Sequence, residues 1–297
     1  MQTVLVTGAN GFFGRILVPI LRKDARVIAA IRGGTITDAE TRIVGDLSSN
    51  PDLADALQGV DCVVHCAARA HVLREDHADP LAEFMKVNCD ATLHLARAAA
   101  RAGVKRFVFL SSIGVNGNQT FGTPYRAGDM PAPHAPYAVS KLAAEQGLER
   151  IASETGIQVV IIRPPLIIGP EPVGNLGTLA RMIGKGIPLP FGRATSNRRS
   201  LVSAAVLADL VRVCLTHPAA VGAPLLVANA RPMSTRDILE TLAKVTGQKL
   251  RIFPFPVFLL RAGLRALGRK NMDGQLFGDL EIDIAETTAR LGWRPQA

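Results

Sequence analysis

The stretch VTGANGFFG, residues 6–14, narrows what this chain can fold into more than any other part of it. Gly8, Gly11 and Gly14 stand between a β-branched run, TVLVT (3–7), and a run with helical spacing, FFGRILVPILRK (12–23). The first glycine permits a tight turn, the second lets another group approach the backbone, and the third lets the helix pack closely on the strand. One strand–turn–helix cannot bury its own strand, and the first two thirds of the chain supply the partners. RVIAAI (26–31), TRIV (41–44), DCVVHC (61–66), KRFVFLSS (105–112) and IQVVIIRP (157–164) read as strands. PLAEFMKVNCDATLHLARAAARAG (80–103) and PYAVSKLAAEQGLERIASETG (136–156) read as helices stopped by Gly103 and Gly156. Strands alternating with helices predict an α/β fold, with a parallel sheet covered on both faces.

The whole reading is a Rossmann-type doubly wound sheet with a smaller C-terminal lobe. After RPPLIIGPEPVGN (163–175) proline and glycine become frequent and irregular stretches separate the helices. The predicted division is a domain over 1–169, with 200–220 packing back on it, and a substrate lobe over 170–199 and 221–297.

In this context the glycine triplet predicts dinucleotide binding, with the pyrophosphate at the helix N-terminus, where free N–H groups and the positive dipole end face it. Phe12 and Phe13 open that helix and belong to the predicted cofactor set. The second strand ends VIAAIRGG. An NAD site carries an acid here for the ribose 2′-OH. This chain has Ile31 and Arg32, and Arg32 suits a 2′-phosphate, so NADP is favoured over NAD. The competing reading of Arg32 is a solvated loop cation. Asp46 and Leu47, in GDLS, are placed to reach the adenine, and the small Ala67 and Ala68, in HCAARAH, to admit the cofactor.

Tyr137 and Lys141, in YAVSK, are i and i+4 and so share a helix face. A free phenol titrates near pH 10 and is a poor base at neutral pH, and a nearby ammonium and an oxidised nicotinamide both favour phenolate. Lys141 is also placed to hold the nicotinamide ribose. Ser112 ends a strand and can hydrogen-bond the substrate oxygen that Tyr137 protonates or deprotonates. The three predict hydride transfer between a secondary alcohol and nicotinamide.

TGANGFFG, GDL, HCAA, the serines 111–112, YAVSK and RPPLIIGP, in this order, resemble the extended short-chain dehydrogenase/reductase family, and within it the nucleotide-sugar epimerases, dehydratases and 4-keto-reductases. The resemblance implies chemistry at C4 of a nucleotide-linked sugar, by a UDP-sugar 4-epimerase or a 4-keto-reductase. It implies that Asn88 fixes the active-site backbone within the cofactor site, to which Pro164 also belongs. It implies that Asn175 lies near the substrate diphosphate and that Arg199 grips it, although NRRS also reads as a solvated loop. A homodimer is compatible with it. Pro164, Pro165 and Leu166 stand where epimerases often have an aromatic residue and an asparagine, and VSAAV replaces an acidic or His-containing strand, so the sugar stays open. SSIGVNG lacks the acid pair that a dehydratase wants. A reductase of a non-nucleotide ketone, which would not need Arg199, and a non-catalytic NADP-binding regulator are the alternatives. Relatives continue into one more helix where this chain ends GWRPQA, so further C-terminal chain is expected.

The 297 residues carry a net charge of +9, which suits an anionic ligand or surface. Aromatic residues are 5%, with no basic run interleaved with stacking residues, so no nucleic-acid partner is expected. The four cysteines form no CxxC pair and no His/Cys spacing suits a metal. With the first strand starting at once and no apolar run of membrane-spanning length, the expected location is cytoplasmic. One segment qualifies this. FPFPVFLLRAGLRALGRK (253–270) reads as a helix with Arg261, Arg265 and Arg269 in a basic stripe and Phe258, Leu260, Leu264 and Leu267 as an apolar face. It is a candidate for peripheral contact with an anionic membrane; the competing reading packs that apolar face on the lobe.

Overall fold

The computed structural model describes residues 1–36, 39–70 and 79–296. Strand β1 (Thr3–Thr7) turns through the glycine loop into helix α1 (Phe12–Leu21), followed by β2 (Arg26–Ile31) and β3 (Glu40–Ile43). Then come α2 (Ala54–Leu57), β4 (Cys62–His65) and α3 (Pro80–Phe84). A wider π-helical turn, Met85–Asp90, joins α3 to α4 (Ala91–Arg101), so the long helix expected over 80–103 runs on but with a bulge in its middle. The alternation closes with β5 (Arg106–Leu110), α5 (Pro136–Thr155) and β6 (Gln158–Arg163). Gly156 ends α5 at φ 76°, the left-handed conformation that favours glycine.

The remaining elements are β7 (Leu166–Ile168), α6 (Gly174–Gly184), β8 (Leu201–Ser203), α7 (Ala204–Cys214) and β9 (Leu225–Leu226). The chain finishes with α8 (Thr235–Val245), α9 (Val257–Ala266), α10 (Lys270–Phe277) and α11 (Ala285–Leu291).

The main sheet is parallel throughout, in the order β3-β2-β1-β4-β5-β6-β9. Its inner strands are apolar on both faces because helices cover both. On one side Leu17 and Leu21 of α1 join Leu207, Leu210 and Val211 of α7 in one core with the strands. On the other, Leu95 of α4 and Leu148 and Ile151 of α5 pack on Phe107 and Phe109. Burying each such side chain stabilises the fold by about 1.5–3 kcal/mol. The strand order reverses between β1 and β4, and a doubly wound sheet opens its ligand crevice at that point, beyond the strands' carboxyl ends.

A third core gathers Leu176 and Ile183 of α6, Leu239 and Leu242 of α8, and Leu189. The short parallel pair β7–β8 lies beside it. The seventh strand, β9, comes from the stretch expected in the smaller lobe, and Leu291 and Trp293 also join the core under α1 and α7.

Candidate active site

The glycine loop stands at the crevice. Gly8 has φ +67°, and a Cβ there would lie 2.8 Å from the Ala67 nitrogen, so the loop after β1 and the end of β4 touch backbone to backbone. A Cβ on Gly14 would overlap the Gly8 carbonyl oxygen. Gly11 is the N-cap of α1 and has no side chain to satisfy the first N–H groups. This is a cradle that side chains would fill, with a helix N-terminus aimed into it, and it fits a dinucleotide pyrophosphate. Phe13 is buried in the core beneath α1, whereas the Phe12 ring lies against Gly169. Of the two, only Phe12 borders the loop that follows β7.

Arg32 is exposed at the end of β2. Asp46 lies within electrostatic reach of both Arg32 and Lys86; its carboxyl is held below the usual range chiefly by hydrogen bonds from Ser48, with the two cations adding to the effect. Asp46 Oδ1 accepts from the Ser48 N–H and hydroxyl, both at 2.9 Å, capping a short turn that begins at Leu47. Lys86 is a second cation that the strand-end motif did not disclose; it sits on the exposed side of the π turn.

Asn88, in that π turn, is fully buried. Its Oδ1 accepts from the Arg69 N–H at 2.8 Å, and its Nδ2 donates to the Arg69 carbonyl at 3.0 Å and to Ser140 Oγ at 3.1 Å. Ser140 Oγ donates in turn to the Tyr137 carbonyl at 2.8 Å. The side chain is thus spent on protein groups, clamping the segment after Ala67 and Ala68 to the first turn of α5.

Tyr137 and Lys141 share a face of α5. Lys141 Nζ is 5.9 Å from the centre of the Tyr137 ring and 4.4 Å from that of Phe109, and it donates to the Leu110 carbonyl at 2.8 Å. Phe84 meets the Tyr137 ring edge-on, with centroids 6.1 Å apart. Burial brings the lysine down to about 8. Burial also pushes the phenol up to about 12, which corrects the expectation that its surroundings lower it. The ammonium is spent on a carbonyl, and desolvation outweighs it.

Ser112 lies two residues past the end of the strand expected to end on it. β5 ends at Leu110, and Ser112 caps a short turn, its Oγ accepting from the Gly114 N–H at 3.1 Å. A Cβ on Gly114 would lie 3.3 Å from that Oγ and equally far from Ala138 Cβ, so Ser112 sits against the first turn of α5. The Pro164 carbonyl accepts from the Ile113 N–H at 2.9 Å, bringing Pro164 to the same corner.

Behind this face Glu145 accepts from Arg163 Nη2 at 2.5 Å and Nε at 2.9 Å, and from the Ser111 hydroxyl. Arg163 Nη1 donates to Asn116 Oδ1 at 3.0 Å. Glu145 was legible in principle: it continues the spacing of four from Tyr137 through Lys141. A second buried chain runs beneath the glycine loop. The Thr92 hydroxyl donates to the Asn88 carbonyl at 2.7 Å, so His65 Nε2, at 3.0 Å, must donate to Thr92. His65 Nδ1 then accepts from the Thr7 hydroxyl at 2.7 Å, which fixes the tautomer of a neutral ring.

The two residues expected at the diphosphate meet on α10. Asn175 Nδ2 donates to Gln275 Oε1 at 2.9 Å, and Arg199 Nη1 donates to the carbonyls of Gly274 at 3.2 Å and Gly278 at 3.0 Å. One nitrogen of Arg199 is therefore spent on backbone. Among the described residues no group of His, Cys, Asp and Glu could hold a metal ion.

The family model of the NAD dependent epimerase/dehydratase family matches residues 4–228. The chain belongs to that family. It is an enzyme of the extended short-chain dehydrogenase/reductase type, with a nucleotide-sugar epimerase family's scaffold and an NAD(P) site. It is similar to a UDP-glucose 4-epimerase of Vibrio cholerae, 39% identical over 99% of this chain and 91% of that one. It is also similar to the N-acetyl-alpha-D-glucosaminyl-diphospho-ditrans,octacis-undecaprenol 4-epimerase of Escherichia coli, 29% identical over 74% of this chain and 65% of that one. Among solved structures, MoeE5 in complex with UDP-glucuronic acid and NAD matches with a TM-score of 0.78, 25% identity, and coverage of 100% of this chain and 94% of that one.

Proposed function

We propose that the enzyme transfers hydride at C4 of a nucleotide-linked sugar, UDP-linked in the first instance, as a 4-epimerase or a 4-keto-reductase. The observation that carries this is the meeting of Tyr137, Lys141 and Ser112 at one corner beside the glycine cradle. Gly8, Gly11 and Gly14 would hold the pyrophosphate of a nicotinamide cofactor, and Lys141 its ribose; such a cofactor would supply the hydride chemistry. Tyr137 takes the proton of the C4 hydroxyl when the carbon is oxidised and gives it back when the ketone is reduced, while Ser112 holds that oxygen. As an acid, Tyr137 is ready at neutral pH. As a base it needs its pKa brought from about 12 to about 7, roughly 7 kcal/mol of bias from the charge of the oxidised cofactor and the bound substrate.

NADP is the favoured cofactor, on the strength of Arg32 with Lys86 nearby and no acid at the end of β2. A homodimer belongs to the same reading, and so does peripheral membrane contact through 253–270, which the exposure of Phe258 supports. The test is to denature the purified protein, identify what is released, and follow UDP-glucose, UDP-N-acetylglucosamine and a UDP-4-keto sugar by NMR. Retained NAD with inversion at C4 supports an epimerase, and an empty site that takes up NADPH and reduces the ketone supports a reductase. Turnover of a non-nucleotide ketone with none of these would overturn the reading.

A further inference from the structure

The smaller lobe carries nearly all of the charge. Residues 170–199 and 221–297 hold 16 Lys and Arg against 8 Asp and Glu, a net +8 of the chain's +9. Between Lys249 and Lys270 there are six basic residues and no acidic one.

Helix α9 lies in that segment, and it is turned the wrong way for a helix that merely covers a core. Arg261 Nε and Arg265 Nε each lie 2.8 Å from a carboxylate oxygen of Asp273, which is buried, so two arginines of the expected outer stripe point inward to α10. No residue of α9 is buried. Leu260 and Leu264 are half-buried, but Phe258 is 69% exposed, Leu259 47%, and Leu267, just past the helix, 74%. Ion pairs brace the hairpin from behind and hold an apolar face outward.

One exposed apolar side chain borders the place where Asn175 meets α10. Met272 of α10 is exposed, and it lines a groove with Gly268, Arg269, Asn271 and Gln275, the last being the partner of Asn175. A Cβ on Gly278 would lie 2.7 Å from Gln119 Nε2, so the loop that carries the exposed Phe121 packs on the end of α10.

We infer that this apolar, basic rim seats the enzyme on an anionic lipid leaflet, where its site takes a sugar whose diphosphate is carried by a membrane lipid. The inference rests on the C4 reading above and changes nothing at the reacting carbon: hydride and proton move as before, and only the group beyond the diphosphate differs. A second copy of the chain is a poor occupant, because it would bring +8 against +8. An anionic leaflet complements the charge and accepts the apolar face together. Gln275 lines the groove beside Met272 and pairs with Asn175, so the residues expected at the diphosphate adjoin this face, where a lipid-carried diphosphate would enter.

The experiment uses the whole protein with its cofactor. Vesicles containing phosphatidylglycerol should carry it into the pellet at low salt and release it as salt rises, whereas phosphatidylcholine vesicles should not. Phe258→Trp should be quenched by brominated lipid, while the single native Trp293, which is buried, stays shielded. A Phe258→Ser, Leu259→Ser double variant should lose vesicle binding. It should lose about tenfold or more in kcat/KM on a polyprenyl-diphosphate-linked N-acetylhexosamine in vesicles, yet stay within about twofold on UDP-N-acetylglucosamine. Wild-type protein left in the supernatant, equal loss on both substrates, or dissociation of a dimer by the double variant in place of vesicle release would overturn the inference. Turnover of the UDP-sugar with none of the lipid-carried sugar would overturn it and leave the C4 reading standing; inertness toward both would overturn the two together.

Discussion

On the proposed reading Tyr137 carries the chemistry at the scale of single residues, and its phenol can be removed without disturbing its ring, which Phe84 meets edge-on. Tyr137→Phe should therefore lower turnover by about 10²–10⁴ and leave cofactor affinity within a few fold; near-normal turnover would remove the residue from the mechanism. Arg32→Ala should weaken NADPH and leave NADH nearly unchanged, because only the former carries a 2′-phosphate. Fluorescence titration of both variants with both cofactors decides it, and equal losses would make Arg32 a bystander. His65 gives a pH signature. Its ring is buried and neutral, with burial and then the nearby Lys141 bringing its pKa down to about 3. Below about pH 6.5 the unfolded chain takes up a proton that the folded chain refuses, so stability falls as pH falls. Between about pH 6.5 and 4.5 the loss should approach 2–3 kcal/mol. Glu40 and Asp46, whose carboxyls are held below their usual values, add to the loss only further down. Denaturant melts of wild type and His65→Phe across that window check this, and parallel curves would contradict it.

At the scale of elements, the expected strand–helix alternation was legible because each strand is buried on both faces and reads as a continuous apolar run. The site's outline was legible for a different reason: the glycines and the Tyr137–Lys141 pair are local patterns, set by one turn and one helix face. The orientation of α9 was not legible. Its apolar face and basic stripe were both visible, but the ion pairs to Asp273 form across a hairpin, and spacing along one helix says nothing of them. The π turn around Asn88 was hidden for the same reason, since its partners Arg69 and Ser140 stand 19 and 52 residues away. So was Arg163, which reads as one residue of the strand 157–164 but closes a buried pair with Glu145, the two side chains 5% and 3% exposed. Arg163→Met leaves Glu145 buried without its counter-charge and should destabilise the protein by about 3–5 kcal/mol, and adding Glu145→Leu should recover much of that loss. Chemical denaturation of the single and double variants tests the coupling; additive losses would show that α5 and β6 are not held by this pair.

For the molecule as a whole, the crevice belongs to the large sheet and most of the net positive charge to the segments expected in the smaller lobe. The crevice forms where the strand order reverses between β1 and β4, and α5 brings Tyr137 and Lys141 to its edge. The basic lobe brings Asn175 and Arg199 together on α10. β9 and Trp293 belong to the large sheet and its core although they follow the first residues of the expected lobe. The proposed hydride transfer at C4 of a sugar diphosphate is tested most directly by isotope transfer. Purified enzyme is given a UDP-sugar deuterated at C4, or a UDP-4-keto sugar with nicotinamide cofactor deuterated at its transferable position, and the product is read by NMR. Deuterium is expected at C4 of the product, with inverted configuration in the first case and in a newly formed C4–D bond in the second, and none of either with Tyr137→Phe. Deuterium at another carbon, or turnover that leaves the label in place without inversion, would contradict it.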